Sequence, residues 1–347
     1  MPDNASLRLG FIALTDAAPL VVALEHGHFA RRGLRVELCR EVGWATIRDK
    51  VTYGELDGAH ALAPLLWAAQ LGLGCGATDV CTGLVLNLHG DAITLSTRLR
   101  SAGVVDEATL RAEALGRRGE NKLTFGIVFP HSMHHLLLRQ WLGAARLDPD
   151  RDVRIAVVPP AQMFRNLAAG TLDGYCAGEP WNTLAVQEGA GWCPAHSASL
   201  APGHVEKVLM VRSQFATRRP AEHAALIAAI AEAAAWCDEP QNRPALAGLL
   251  AAPQYLNVPA PVIAPTLLGR FATGAGPVEN VPDFHIFSRG EASVPSAARA
   301  AALQAELVAS GLVPRALASP SLPGRLFREE IFRSATATLH HHAPNQE

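Results

Sequence analysis

No stretch of this 347-residue sequence is long and apolar enough to span a bilayer, and its six cysteines form no C-x-x-C pair. The first absence excludes a helical membrane protein. The second points to reduced thiols in apolar surroundings rather than to disulfides or a zinc site. Charge excess is missing too: the formal net charge is -2, so no global field draws nucleic acid or an anionic membrane, and any RNA or DNA role is indirect. There is no nucleophile elbow, phosphate loop or dinucleotide fingerprint, since Gly72, Gly74 and Gly76 stand in the wrong context. An enzyme is therefore not the default reading. The polar residues 1–6 lead straight into a strand-like run at Leu7, which leaves no room for a signal peptide and points to the cytoplasm. A chain whose leader had been left off would begin the same way.

What is present is an eleven-residue pattern, G-x-L-D-G-x-x-A-x-x-P, at residues 54–64 and again at 170–180. Each copy follows an amphipathic stretch, so its first Gly reads as a helix stop in the left-handed region. A short strand follows, then a Pro at the first turn of the next helix. Two copies predict two similar lobes facing one cleft, because loops after the strands of a parallel sheet lie at the carboxyl edge, where ligands bind. Asp57 and Asp173 read first as turn or capping residues. His60, Ala61, Gly178 and Glu179 are the better cleft candidates.

Apolar content of 49% permits two sizeable cores. The periodicity predicts strands at residues 7–12 and 34–39 and at the repeat, with Asp16 capping the first helix. Glycines at 72–76 lead to a strand at 92–95. The second lobe repeats the order, with strands at 123–129, 153–158 and 172–176. Residues 208–211 return as a strand. Helices then follow at 221–236, 243–251, 264–271 and 297–309, with a Gly/Pro loop at 274–282. The expected division is 1–97 with 206–315 as lobe 1, 98–205 as lobe 2, and 316–347 as a C-terminal tail, mobile over its last ten or so residues.

His131, His134 and His135 cluster with Ser132 at the start of a helix after Phe129-Pro130, which offers imidazoles and free N–H groups to an anion. Surface histidines capping a helix are the plainer alternative. A metal would need ligands from elsewhere, with His60 the obvious partner, and no cofactor is implied. Trp44, at a helix start, either lines the cleft or belongs to the core. His340, His341 and His342 read as tail rather than site.

With these residues assembled, the chain resembles the nitrate/bicarbonate-binding branch of the ABC-transporter solute-binding proteins over roughly residues 7 to 313. The resemblance rests on Gly10-Phe11-Ile12 with Thr15-Asp16-Ala17-Ala18-Pro19-Leu20, Trp44-Ala45 with Arg48-Asp49, Leu62-Ala63-Pro64, Phe129-Pro130 with Ser132 and His134, Pro159-Pro160, and Gly178-Glu179-Pro180-Trp181-Asn182. It implies a two-lobed periplasmic-binding-protein-like α/β fold of type II closing on a small oxyanion, with Thr15, Trp44, His60, Ala61, Ser132, His134, Gly178 and Glu179 around the ligand. Transporter members place a Trp-bearing loop where this sequence has His60-Ala61. Without a leader the chain is most similar to the cytosolic nitrate/nitrite sensors of the NasS type, which partner an RNA-binding antiterminator of the ANTAR type.

Three functions follow as expectations. The first is a cytosolic nitrate or nitrite sensor that releases its antiterminator when ligand closes the lobes. The second is the nitrate- or bicarbonate-binding component of an ABC transporter. The third is an enzyme on the same fold, with Asp57 and Asp173 or the histidines as catalysts. Neutral donors and imidazoles are expected to hold the planar anion without a buried charge pair.

Overall fold

Strand β1 (Leu7–Ile12) is buried at every position but one, which places it inside a sheet and not on an edge. It pairs in parallel with β2 (Val36–Glu41) and β3 (Gly58–Leu62), as the alternation of strands and helices requires. The computed structural model describes residues 6–117 and 119–337. The histidines at 340–342 and the expected mobile end lie outside the described residues.

After β3 the chain enters β4 (Val80–His89), crosses to the second lobe at Gly90, and continues as β5 (Asp91–Ser96). Lobe 2 adds β6 (Thr124–Ile127), β7 (Arg154–Val157), β8 (Gly174–Gly178) and β9 (Gly191–His196) before β10 (Val205–Arg212) returns to lobe 1. A hairpin of β11 (Arg270–Ala272) and β12 (Val278–Asn280) and the short β13 (His285–Ile286) complete the strands. Lobe 1 carries a six-stranded sheet in the order β13-β4-β10-β3-β1-β2, and lobe 2 a five-stranded sheet in the order β7-β6-β8-β5-β9. β10 runs antiparallel to β3, and β5 runs antiparallel to β8, so each sheet is mixed rather than purely parallel.

Several expectations need correction. The strand expected at 92–95 belongs to lobe 2, so the boundary falls at the His89-Gly90 turn, where φ is 62° and 104°, and not at residue 97. β4 went unread because all ten of its residues are buried and show no alternation. Its Gly83 is there for packing: a Cβ would stand 2.6 Å from Ile227 Cδ1. The Gly/Pro loop at 274–282 contains the hairpin's second strand, and the helix expected at 264–271 runs Ala260–Leu267 instead. Residues 322–336 are no free tail. Helices Leu322–Leu326 and Glu329–Thr336 pack beside β4, and Arg328 N donates to Thr82 O at 2.8 Å.

The repeated pattern has the same meaning in both lobes. Gly54 and Gly170 end helices Trp44–Tyr53 and Pro160–Ala169 with φ of 79° and 83°. Asp57 exchanges two hydrogen bonds with the backbone of Arg8, and Asp173 does the same with Thr124, at 2.8 to 2.9 Å. Both aspartates thus lock the amino end of a strand. That is the edge away from the cleft, so neither is placed for catalysis there.

Behind lobe 1, His223 is buried on helix Pro220–Asp238 with Nε2 unpartnered, edge-on to Phe215. Burial, with Arg328 adding to it, pushes its pKa down to about 4. Below the ordinary value of 6.5 the unfolded chain takes a proton that the folded chain refuses, so stability falls as pH drops from there toward 4. Each unit contributes about 1.4 kcal/mol. The variant His223→Gln is expected to lose less stability than the parent between these pH values in urea titrations. Parallel pH curves for the two proteins would refute this. Asp57→Ala is expected to cost about 0.5–1.5 kcal/mol of stability, through the lost Arg8 N–H bond, while leaving anion affinity unchanged. Chemical denaturation and calorimetry check the two halves separately.

Candidate functional site

Past β1 the chain turns at Leu14 into a short 3-10 turn, Thr15–Ala17, which delivers the Asp16 carboxylate inward instead of to a helix cap. In the antiparallel pair of β3 with β10, His60 lies opposite Leu209 and Lys207 opposite Leu62. His60 and Lys207 therefore share one face of the sheet. Asp16 bridges them: Oδ1 is 2.8 Å from His60 Nε2, and Oδ2 is 2.7 Å from Lys207 Nζ. Lys207 Nζ also lies 2.7 Å from Glu206 Oε1 and 5.5 Å from the centre of the Trp44 ring. Neighbouring residues of a strand ordinarily point to opposite faces, but β10 shifts register against β4 on both sides of Lys207. Such a bulge re-aims side chains, and here the Glu206 and Lys207 heads meet.

The second half comes from lobe 2. Asp91 opens β5, and His134 lies in the first turn of helix Met133–Ala144, with Nε2 3.0 Å from Asp91 Oδ1 and Nδ1 3.6 Å from Glu206 Oε1. His204, on the return crossing, has Nδ1 2.9 Å from Ala201 O and Nε2 3.3 Å from Glu206 Oε2. The lobes also meet directly. Thr15 N donates to Glu179 O at 2.8 Å, Trp181 Nε1 donates to Ala13 O at 3.2 Å, and His131 Nε2 lies 3.0 Å from Leu312 O. With the lobes shut in this way, Asp16, His60, Asp91, His134, Glu206 and Lys207 are each at most 1% exposed.

Charges buried this deeply persist only through one another. Burial works against Asp16 as an anion, but Lys207 and His60 outweigh it and hold its pKa below the usual range. Burial likewise opposes the Lys207 ammonium, and Asp16 and Glu206 more than offset it. His204 is held at about 9 by Asp91 and Glu206 against its burial, which agrees with both ring nitrogens facing oxygens. His60 goes the other way: burial lowers its pKa despite Asp16. The expectation of a site without a buried charge pair is thus overturned.

Donors and acceptors remain open around this network. Trp44 Nε1, Thr15 Oγ1, Asn87 Oδ1 and Glu179 Oε1 are buried without a hydrogen-bond partner among the described residues. Asp91, His134 and Glu206 offer ligand atoms within 4.8 Å of one another, a set that suits a cation as well as a proton. The arrangement can bind and neutralise a small charged group.

Of the residues singled out in the sequence, the structure gathers Thr15, Trp44, His60, His134 and Glu179 at the lobe interface. Ala61 and Gly178 contribute backbone only, Ala61 opposite Val208 and Gly178 opposite Asp91. Ser132 is committed elsewhere: its hydroxyl donates to Phe129 O at 2.7 Å and accepts from His135 N at 3.1 Å, which caps the helix. The histidine cluster divides. Only His134 faces the carboxylates, while His135 bonds Pro130 O and His131 reaches Leu312 O. Glu179 spends one oxygen on Thr183 N at 3.1 Å, and burial pushes its pKa up to about 7. Sequence reasoning missed Asp91, His204, Glu206 and Lys207. One signal was available, since adjacent opposite charges at 206–207 interrupt an otherwise apolar strand.

A family model described as NMT1-like family matches residues 1–251. The chain is 32% identical to the nitrate/nitrite binding protein NrtA of Synechococcus elongatus over 97% of its own length and 79% of that protein's. It is 37% identical to the nitrate import ATP-binding protein NrtC of Synechocystis, over 97% of this chain but 51% of NrtC, so it spans about half the length of that relative. Among solved structures, the periplasmic nitrate-binding protein NrtA from Synechocystis superposes with a TM-score of 0.92 at 28% identity, covering 96% of this chain and 89% of that one. The alkanesulfonate-binding protein SsuA from Xanthomonas axonopodis, at 19% identity and a TM-score of 0.67, shares the fold. The architecture is the two-lobed periplasmic-binding-protein-like α/β fold. With its residues 1–251 matched by the family model and its whole length similar to NrtA, this chain belongs to the NMT1-like family.

Proposed function

We propose that this chain is a solute-binding component of an ABC-type import system and takes a small planar oxyanion, nitrate or nitrite, between its lobes. One observation carries the reading. A fully buried Lys207 ammonium lies over the Trp44 ring, and among the described residues Trp44 Nε1 and Thr15 Oγ1 are buried without hydrogen-bond partners. Buried N–H and O–H donors without partners are costly, and an oxyanion that accepts from them recovers that cost. The relatives named for nitrate and nitrite binding support the same ligand class. Binding rather than turnover suits these residues, since the charged groups pair with one another and none among the described residues stands as a nucleophile beside a base.

The charge inventory refines the test. Asp16, Asp91 and Glu206 face Lys207 and His204, so an added anion enters a pocket already rich in carboxylates. Bicarbonate differs from nitrate in carrying a donor hydroxyl for the open acceptors, and a cation at Asp91, His134 and Glu206 would offset the negative charge. Calorimetric titrations with nitrate, nitrite and bicarbonate, each with and without calcium, separate these cases. Binding of nitrate or nitrite without calcium is expected; binding of bicarbonate with calcium alone would move the ligand class.

A finer reading uses the same closure. The interlobe bonds of Thr15 and Trp181 define a shut state, and a ligand that touches both lobes favours it by its differential affinity. A cytoplasmic sensor holding an ANTAR-type antiterminator in its open form would release that partner on closure, by linkage. Size-exclusion chromatography of the purified pair tests it, and a complex indifferent to nitrate and nitrite would leave the import role alone.

Trp44→Phe keeps the ring under Lys207 but removes the indole donor. It is expected to weaken nitrate by about 0.5–1.5 kcal/mol without lowering stability, and an unchanged titration would take Trp44 out of the site. Lys207→Met should abolish binding, but it also strands Asp16 and Glu206, at a stability cost of about 3–5 kcal/mol. Thermal denaturation of that variant must therefore accompany its titration.

A further inference from the structure

We propose that lobe 2 holds a second anion site, separate from the cleft, for a compact polyvalent anion of the phosphate type. It lies at the amino edge of the β6 and β8 strands, the end of the sheet away from His134 and Glu179. A cavity of about 530 Å³ opens there, and among the described residues Arg98, Arg117 and Lys122 line it with one carboxylate, Asp173.

The internal repeat shows which parts of this pole the fold needs. In lobe 1 the Arg212 guanidinium lies 2.8–3.0 Å from where a Cβ on Gly54 would stand, and Arg219 Nη1 is 3.3 Å from Asp57. In lobe 2 Arg98 covers Gly170 in the same way, and Arg117 Nη1 is 3.6 Å from Asp173. An arginine over the glycine and another near the aspartate are therefore common to both halves. Lys122 is not. Arg8 and Thr124 each donate N–H to the repeat aspartate, and by that register Lys122 stands where lobe 1 has Ser6.

The electrostatics also favour an anion here. Arg117 is partnered by Glu113 at 2.8 Å as well as by Asp173. Arg98 Nη2 donates to Leu172 O at 3.3 Å, and Lys122 Nζ donates to Arg151 O. A carbonyl orients a cation without cancelling its charge, so these two carry positive charge into the cavity. Thr124 and Thr171 add hydroxyls to the wall.

The shape narrows the ligand. A single orthophosphate would occupy a small part of the volume. Among the described residues no aromatic ring lines the cavity and Leu99 is its one large apolar side chain, so none of them stacks a nucleobase. Pyrophosphate or a short polyphosphate fits the charge, the size and the polar wall together. This site does not depend on the oxyanion reading of the cleft.

Calorimetry of the full chain with pyrophosphate at physiological ionic strength tests the proposal. One pyrophosphate per chain is expected, weakened at least about tenfold in Lys122→Gln, while the nitrate titration of the same variant stays at the parent's value. Lys122 is the position to change, because replacing Arg98 also uncovers the Gly170 helix end. Arg98→Gln/Lys122→Gln, with its fold checked by circular dichroism, should bind no pyrophosphate. No heat with millimolar pyrophosphate, or equal binding by the parent and Lys122→Gln, overturns the site.

Discussion

A carboxylate with no access to water holds this molecule's centre together. Asp16 is 1% exposed and survives as an anion because His60 and Lys207 each take one of its oxygens. Removing Lys207 would leave carboxylates without their cation in a low-dielectric interior, where the cost of an unpaired ion exceeds the worth of the pair. The same dependence runs outward. Lys207 also neutralises Glu206, Glu206 faces His134 and His204, and both histidines face Asp91. The chain of partners starts in lobe 1 and ends in lobe 2, and the contact of His134 with Glu206 joins the two halves.

This coupling explains why the site lies at the crossings. His89-Gly90 carries β4 of one sheet into β5 of the other, and Asp91 is the next residue. The return through 197–204 ends at His204, next to β10. Residues that face both lobes are thus held next to the two connections between them. Direct bonds such as Trp181 Nε1 to Ala13 O add a neutral component to closure that does not depend on charge.

The far ends of the lobes follow a different rule. There the repeat uses Asp57 and Asp173 to tie a strand's first N–H, with an arginine laid over the helix-ending glycine, and this arrangement is structural in lobe 1. Lobe 2 adds Lys122 to it, on the wall of a cavity. A duplicated unit is a useful control in such cases, since what both copies share serves the fold and what one copy adds needs another account.

Local chemistry was legible in the sequence wherever the cause is local. Gly54 and Gly170 were readable as helix ends because only glycine enters the left-handed region cheaply, and Asp57 and Asp173 were readable as capping residues beside them. Helix Ala297–Ala309 was readable from its period. β4 was not, because a strand buried on both faces has no alternation to read. Thr15, Trp44, His60, His134 and Glu179 entered through loop position and resemblance, and the tertiary structure brought them together. It alone decided that Ser132 is a cap, that Asp16 is an inward ion, and that Glu206 and Lys207 meet. The reason is physical: a charge at 16, 91, 134 or 207 looks like a surface charge in sequence. Only the folding of distant segments against one another, with register shifts in β10, takes these groups out of water and makes them partners.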